Sequence, residues 1–335
     1  MAHHDIVAIG ASSGGVQALT VLLSSLPADL QAALFVVLHV NPDAPSQLPA
    51  ILNRAGALPA AHAVDGEPIR RGRVYVAPPG MQTYLQPGRM AVKRGPQENL
   101  YRPAIDPLFR TAAHHYGART IGVVLSGALD DGAAGLRAIK EAGGLAIVQE
   151  PDDAEVPGMP LNALERVKAD YCVRMAAMGP LIAELTSRSF SLTPLAGEVP
   201  LETTEEAQSP ATALRSDQLG HASAFTCPDC SGTLFEIHEG GQLRYRCRVG
   251  HAYSDETMVL AQGASTERAL WTALRALEER VAMLRKLAER GRRRGLVGVA
   301  RVFDDRAAAA EQDVRAVHGL ILDGSALDDV GHENL

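Results

Sequence analysis

No run of apolar residues in this 335-residue chain approaches the ~20 needed to span a bilayer as a helix, so insertion into a membrane is not expected. The N-terminus lacks the cationic start of a signal peptide. His3, His4 and Asp5 stand there instead, and the expected location is the cytoplasm. Positive charge is not in excess: 32 Lys and Arg against 39 Asp and Glu leave a net charge of −7, which argues against a general nucleic-acid surface. Cysteine is scarce. Of Cys172, Cys227, Cys230 and Cys247, three cluster late, a pattern of metal binding rather than disulfides in a reducing compartment. Cys172, on an expected strand, reads as core packing. Two phosphate-binding signatures are also absent near the first strand, Gly-x-Gly-x-x-Gly and Gly-Lys-Ser/Thr.

What is present begins at residues 5–15. The apolar run Ile6 to Ile9 breaks at Gly10, Ser12 follows, then Gly14 and Gly15. Val16, Leu19, Leu22, Leu23 and Leu26 then repeat at helical spacing. The stretch reads as buried strand, tight turn and helix. Gly10-x-Ser12-x-Gly14 fits a nucleophile elbow. The same residues also fit an ordinary turn with a serine N-cap, and the motif alone does not separate the two.

Further along, strands are expected at 33–40, 120–126, 145–150 and 171–174, and helices at 46–54, 104–116, 132–142, 161–168 and 178–187. A β-hairpin is expected around Val74–Val76 and Met90–Val92. This alternation predicts an α/β fold, a doubly wound and mainly parallel Rossmann-like sheet. In such a sheet the carboxyl ends of the strands share one edge. His39 ends the second strand and Asp131 follows another, so Ser12, His39 and Asp131 are brought to that edge as nucleophile, base and orienting acid. Each has a structural alternative: a satisfied histidine, or a helix cap at Asp130 or Asp131. His114 and His115 read as exposed or capping residues. The order Ser…His…Asp is not that of α/β-hydrolases.

Four segments are expected: a catalytic domain at 1–188, a Pro/Thr/Ser/Glu-rich flexible linker at 189–224, a Cys-rich unit at 225–263 and a helical hairpin or coiled-coil-like region at 264–335. Cys227-x₂-Cys230 with Cys247-x₃-His251 suits tetrahedral zinc, His238 being a less regular alternative ligand. Residues 225–253 hold too few apolar groups for a stable core, which favours zinc over a set of buried thiols. Leu270, Leu274, Leu277, Val281 and Leu284 form a coiled-coil-like seam. Arg290–Gly295 reads as a solvated loop. The second helix, with Val302, Ala310, Val314, Val317 and Ile321 apolar, reaches about Leu322.

Residues 5–185 resemble the catalytic domain of chemotaxis protein-glutamate methylesterases (CheB type). The resemblance rests on Ile9–Gly15, His39-Val-Asn-Pro42, Val74–Gly80, Arg102-Pro-Ala-Ile-Asp106, Leu125-Ser-Gly127 with Asp131–Gly135, and Pro157–Pro160. It implies Ser12 as nucleophile, His39 as base, Asp131 as its partner, backbone N–H groups of Ser13 and Ala128 as oxyanion donors, and no catalytic cofactor. The implied reaction is hydrolysis of γ-glutamyl methyl esters on chemoreceptors, with glutamine deamidation as a related activity. The family's Gly-Met-Gly-x-Asp-Gly loop reads here Gly127-Ala-Leu-Asp-Asp-Gly132. Family members usually carry an N-terminal receiver domain; with the first strand at Asp5, none is expected here, and basal activity needs no phosphodonor. The linker is long enough for the Cys-rich tail to fold back, and the tail is expected to recruit an unknown partner rather than to inhibit, and to leave the esterase domain intact when metal is removed. A signalling adaptor that uses the tail, with catalysis dispensable, is the alternative function.

Overall fold

The computed structural model describes residues 2–42, 44–190, 220–239 and 242–322. Its centre is a seven-stranded, all-parallel sheet of β2 (Ile6–Ala11), β3 (Ala33–Leu38), β4 (Ala60–His62), β5 (Arg73–Val76), β8 (Thr120–Val124), β9 (Leu145–Gln149) and β10 (Tyr171–Val173), in the order β10-β9-β8-β2-β3-β5-β4. Helices α1 (Gly15–Ser24), α2 (Leu48–Ala55), α3 (Ile105–Tyr116), α4 (Ala133–Glu141), α5 (Gly158–Arg166) and α6 (Met175–Ser187) connect and flank the strands. Strand alternation divides the apolar residues between two cores. Val7, Ile9, Leu34 and Val36 meet Leu19, Leu23 and Ile182 on one face. Ile6, Ala8, Phe35 and Val37 meet Phe109, Leu136 and Met159 on the other. A central strand covered on both faces reads as a continuous apolar run, which is why β2, β3 and β8 stand out in the sequence.

The hairpin lies one segment later than expected. Val74–Val76 belong to the central sheet, and the hairpin is β6 (Gln82–Gln86) with β7 (Arg89–Lys93), turning at Pro87-Gly88. Val74 and Tyr75 are buried in opposite cores, so the short run was already fully used by the sheet. Cys172 is exposed rather than in the core, because β10 is an edge strand. The expected helix starts at 161 and 178 fall at Gly158 and Met175.

Of the expected linker, residues 191–219 lie outside the described residues. Its two ends are strands. β11 (Ser189–Phe190) pairs with β1 (Ala2–His3), with Phe190 stacked on His4 at 4.4 Å. β12 (His221–Thr226) opens a second, four-stranded antiparallel sheet with β13 (Thr233–Glu239), β14 (Gln242–Cys247) and β15 (Ala252–Ser254). Ser254 then caps α7 (Asp255–Arg293), its Oγ accepting the Thr257 N–H at 3.2 Å.

Residues 259–322 belong to a separate compact unit. In it α7 and α8 (Val297–Leu322) pair through Arg285–Glu311 and through Arg292–Asp304 at 2.5 Å. Leu274 is buried within the expected seam, but α8 buries Ala300, Ala307 and Ala310, while Val302 is 49% exposed. The arginine run is helical to Arg293, and the turn is confined to the residues after it. Arginine is a good helix former, and Arg292 has a partner in Asp304. No helix among the described residues is long and apolar enough to cross a membrane.

Candidate active site

The chain order reverses beside β2, which has β3 on one side and β8 on the other. Crevices form at such a switch, at the carboxyl ends of the strands. Ser12 follows β2, His39 follows β3, and residues 125–132 follow β8. The elbow is tight. Gly14 has φ 75°, and a Cβ there would stand 2.6 Å from Ser126 Oγ. The Ser12 N–H donates to Ser126 O at 2.9 Å, tying the ends of the two central strands together. Gly127 packs so closely that a Cβ there would lie 2.7 Å from Ser12 Cβ. The Ser126 hydroxyl donates to Ser13 O at 2.7 Å. Neither the Ser13 N–H nor the Ala128 N–H has an acceptor among the described residues.

His39 Nε2 is 2.8 Å from Asp131 Oδ2, with both side chains buried. Burial by itself raises the Asp131 carboxyl. The hydrogen bond and charge of His39, the Ile105 N–H at 2.6 Å and the Asn99 amide at 3.0 Å more than offset it, and hold the group below its usual range. An ionised Asp131 only accepts, so Nε2 carries the proton and Nδ1 presents its lone pair. That Nδ1 is buried and has no partner among the described residues. Tyr101 stacks flat on the imidazole, with centroids 3.5 Å apart.

A second buried carboxylate lies behind the first. Asp106 accepts from Gly132 N and Gly135 N at 3.1 and 2.7 Å, and from Asn99 Nδ2 at 3.0 Å. Burial, and secondarily the charge of Asp131, push it up to about 6, against Arg244, Arg110 and the Gly135 N–H. Asn99 thus bridges both carboxylates. Asp130 turns the other way, accepting from Arg166 and from Ser254 Oγ, the latter at 3.0 Å. The roles of Asn99, Tyr101 and Arg244 were not visible in the sequence. Asp106 had a signal, the Arg102–Asp106 motif, but no role.

The four-stranded sheet gathers Cys227, Cys230, Cys247 and His251, whose ligand atoms all lie within 4.8 Å of one another. Cys230 Sγ and Cys247 Sγ are 3.7 Å apart, and His251 Nδ1 is 3.6 and 3.5 Å from Cys227 and Cys247. With metal–sulfur bonds of about 2.3 Å, the edges of a tetrahedron are about 3.7 Å. The donor set therefore fits a tetrahedral metal. His238, on β13, is outside the set. The sheet is in contact with the catalytic domain. It packs on residues 96–106: Asn99 N donates to Ala252 O at 2.8 Å, and Arg244 lies 3.2 Å from Asp106.

Comparison with known proteins agrees with this geometry. The family described as CheB methylesterase matches residues 7–182. A protein of Leptospira interrogans serogroup Icterohaemorrhagiae serovar copenhageni, provisionally named protein-glutamate methylesterase/protein-glutamine glutaminase, is 35% identical over 189 residues, 56% of this chain and 98% of its own. Protein-glutamate methylesterase/protein-glutamine glutaminase 2 of Anaeromyxobacter dehalogenans is 37% identical over 182 residues, 54% of this chain and 53% of its own. The crystal structure of the Thermotoga maritima CheB methylesterase catalytic domain is similar with a TM-score of 0.51 and 32% identity, covering 54% of this chain and 98% of that one.

Proposed function

The chain belongs to the CheB methylesterase family, and on that premise we propose that it hydrolyses γ-glutamyl methyl esters on chemoreceptors through Ser12, His39 and Asp131. The observation that carries this reading is the buried His39–Asp131 pair, whose unpartnered Nδ1 belongs to a histidine at the same sheet edge as Ser12. Nδ1 takes the Ser12 proton as Oγ attacks the ester carbonyl, and Asp131 stabilises the imidazolium. The Ser13 and Ala128 N–H groups, left without acceptors, receive the oxyanion. Collapse of the tetrahedral adduct returns the proton to the leaving oxygen, releasing methanol and an acyl-Ser12. Water, deprotonated by the same imidazole, then frees glutamate. A receptor glutamine follows the same path with ammonia as leaving group.

The Cys227, Cys230, Cys247 and His251 set would hold zinc as a structural ion, at about one per chain. It takes no part in the chemistry. The test of the esterase reading is methanol release from methylated receptor membranes. Ser12→Ala and His39→Ala should each lose at least about 10³-fold in rate, with unchanged melting. Full activity in Ser12→Ala, with loss in Ser13→Ala, would move the nucleophile.

A further inference from the structure

Two of the side chains that touch the His39–Asp131 pair, Asn99 and Tyr101, come from a short segment, 97–101, that the catalytic domain does not hold alone. Asn99 and Leu100 have φ 49° and 74°, two successive non-glycine residues in left-handed backbone. Such backbone persists only when the surroundings over-determine it. Here the surroundings include the four-stranded sheet. Asn99 N donates to Ala252 O at 2.8 Å and Ala252 N to Gln97 O at 3.4 Å. Gly250 leaves no room beside Pro96, where a Cβ would stand 2.8 Å from the ring. From β14, Arg244 reaches Asp106 at 3.2 Å and Glu98 at 3.8 Å, and Arg110 holds the same two carboxylates from α3. All four side chains are nearly excluded from water, at 8% for Arg244, 1% for Asp106, 3% for Glu98 and 11% for Arg110. Taking one cation from such a cluster leaves buried negative charge uncompensated.

We infer that Arg244 is a positioning residue for the esterase: the small sheet, through Arg244 and the Ala252 edge, sets the segment whose Asn99 and Tyr101 orient Asp131 and His39. This rests on the triad reading above. The path is short and each link is a contact. Arg244 neutralises Asp106; Asp106 and Asp131 share the Asn99 amide; Asp131 holds His39, and Tyr101 stacks on its ring. Without Arg244, Asp106 loses the charge that most opposes its burial and is pushed further toward its protonated form. A protonated Asp106 no longer accepts from Asn99, Gly132 and Gly135 as the carboxylate does, which frees the Asn99 amide to turn from Asp131. The small sheet is then part of the catalytic apparatus rather than an appended module.

The test uses the full-length chain with Arg244→Gln and Arg244→Lys, and two readouts. The first is kcat and KM on a γ-glutamyl methyl ester peptide. The second is the low-field proton of the His39 Nε2–H···Asp131 bond, seen by NMR in histidine-labelled protein. Arg244→Gln should lower kcat by between about tenfold and about a hundredfold, the effect of misplacing a reacting group by an ångström or less. KM should stay unchanged, and the His39 proton should shift or broaden. Arg244→Lys, which keeps the charge, should recover most of both. A folded Arg244→Gln with unaltered kcat and an unaltered His39 proton overturns the inference. So does loss of the folded state in both variants, which assigns Arg244 to stability alone. A wild-type chain without esterase activity, whose His39 proton nevertheless responds to Arg244→Gln, removes the triad reading and leaves the positioning role standing.

Discussion

The seven-stranded and the four-stranded sheet are held by different forces. In the parallel sheet every residue of β2, β3 and β8 is buried, and each large apolar side chain so covered contributes about 1.5–3 kcal/mol. In the antiparallel sheet β12 is exposed along nearly its whole length. Apart from Leu234, Phe235, Tyr245 and Tyr253 it buries few large apolar groups, and Arg244 and Arg246 are buried among them. This second sheet gathers three sulfurs and an imidazole at one end, and ion pairs seat it on residues 96–106. A sheet with a large hydrophobic core spreads its stability over many contacts. A sheet with a small one rests on few, and those few reach Asn99 and Asp106, which touch Asp131.

Removing the ligands is the strongest way to separate the two. Apparent free energies of structural zinc sites are about 10–16 kcal/mol, more than a small sheet can supply by packing. A chelator should unfold residues 221–254 while the parallel sheet keeps its helical circular dichroism, and esterase turnover should fall with the small sheet. Full turnover after complete metal loss would restore the picture of an appended module. The mirror experiment is Phe35→Ala, which removes a fully buried ring from the parallel sheet. It should cost about 3–5 kcal/mol in chemical denaturation, with metal content unchanged.

A smaller effect sits at the seam between the sheets. Asp106 ionises at about 6 in the folded chain, raised from 3.8, because burial disfavours its charge. The folded state therefore binds more protons than the unfolded one between those values, and stability falls as pH rises from about 4 to about 6, then levels. Asn at this position cannot ionise. Urea midpoints of Asp106→Asn and wild type should diverge in favour of the variant across that window and run parallel above it. At roughly 1.4 kcal/mol for each pH unit between the two ionisations, the ceiling is about 3 kcal/mol. Lost pairing with Arg244 and Arg110 adds an offset that is constant above pH 6. Midpoints that run parallel from pH 4 to 8 would mean that the cations dominate and the carboxyl is not raised.

The contrast also explains what could be read in advance. Ile6–Ile9 and Ala33–Leu38 announced strands because parallel sheets bury both faces. The His39–Asp131 contact could be anticipated because strand ends share one edge. The cluster of three cysteines and His251 was legible from Cys-x₂-Cys and Cys-x₃-His spacing. The docking was not, since Arg244 and Asp106 are 138 positions apart and nothing local marks a buried ion pair. The hairpin was misplaced because Val74–Val76 and Met90–Val92 are equally apolar and equally buried in the fold; what separates them is the partner strand, β3 and β4 for the first and β6 for the second. The solvated loop at Arg290–Gly295 was misread because charge alone does not end a helix.

The smallest effect lies in the loop after β8. Leu129 has φ 63°, a left-handed conformation that costs a side-chain-bearing residue about 1–2 kcal/mol. The site is held in place nonetheless: Asn162 donates to the Leu129 carbonyl at 3.0 Å, and Gly158 packs against the loop so tightly that a Cβ there would meet the Leu129 nitrogen at 3.2 Å. Leu129→Gly removes the strain but loosens the unfolded chain, which returns about 0.5–1 kcal/mol of the gain. The net should be a stabilisation of no more than about 1 kcal/mol, or about 2–4 °C in Tm. Leu129→Val, with branching at Cβ, should move Tm the other way. Because the Leu129 carbonyl itself is held by Asn162, and the four-stranded sheet reaches the loop at the neighbouring Asp130 through Ser254 Oγ, both changes should survive metal removal with the same sign. A Tm difference that vanishes in the chelated protein would place this loop under the control of the small sheet as well, and the division between a packed region and a ligated one would then have to be redrawn through residue 129.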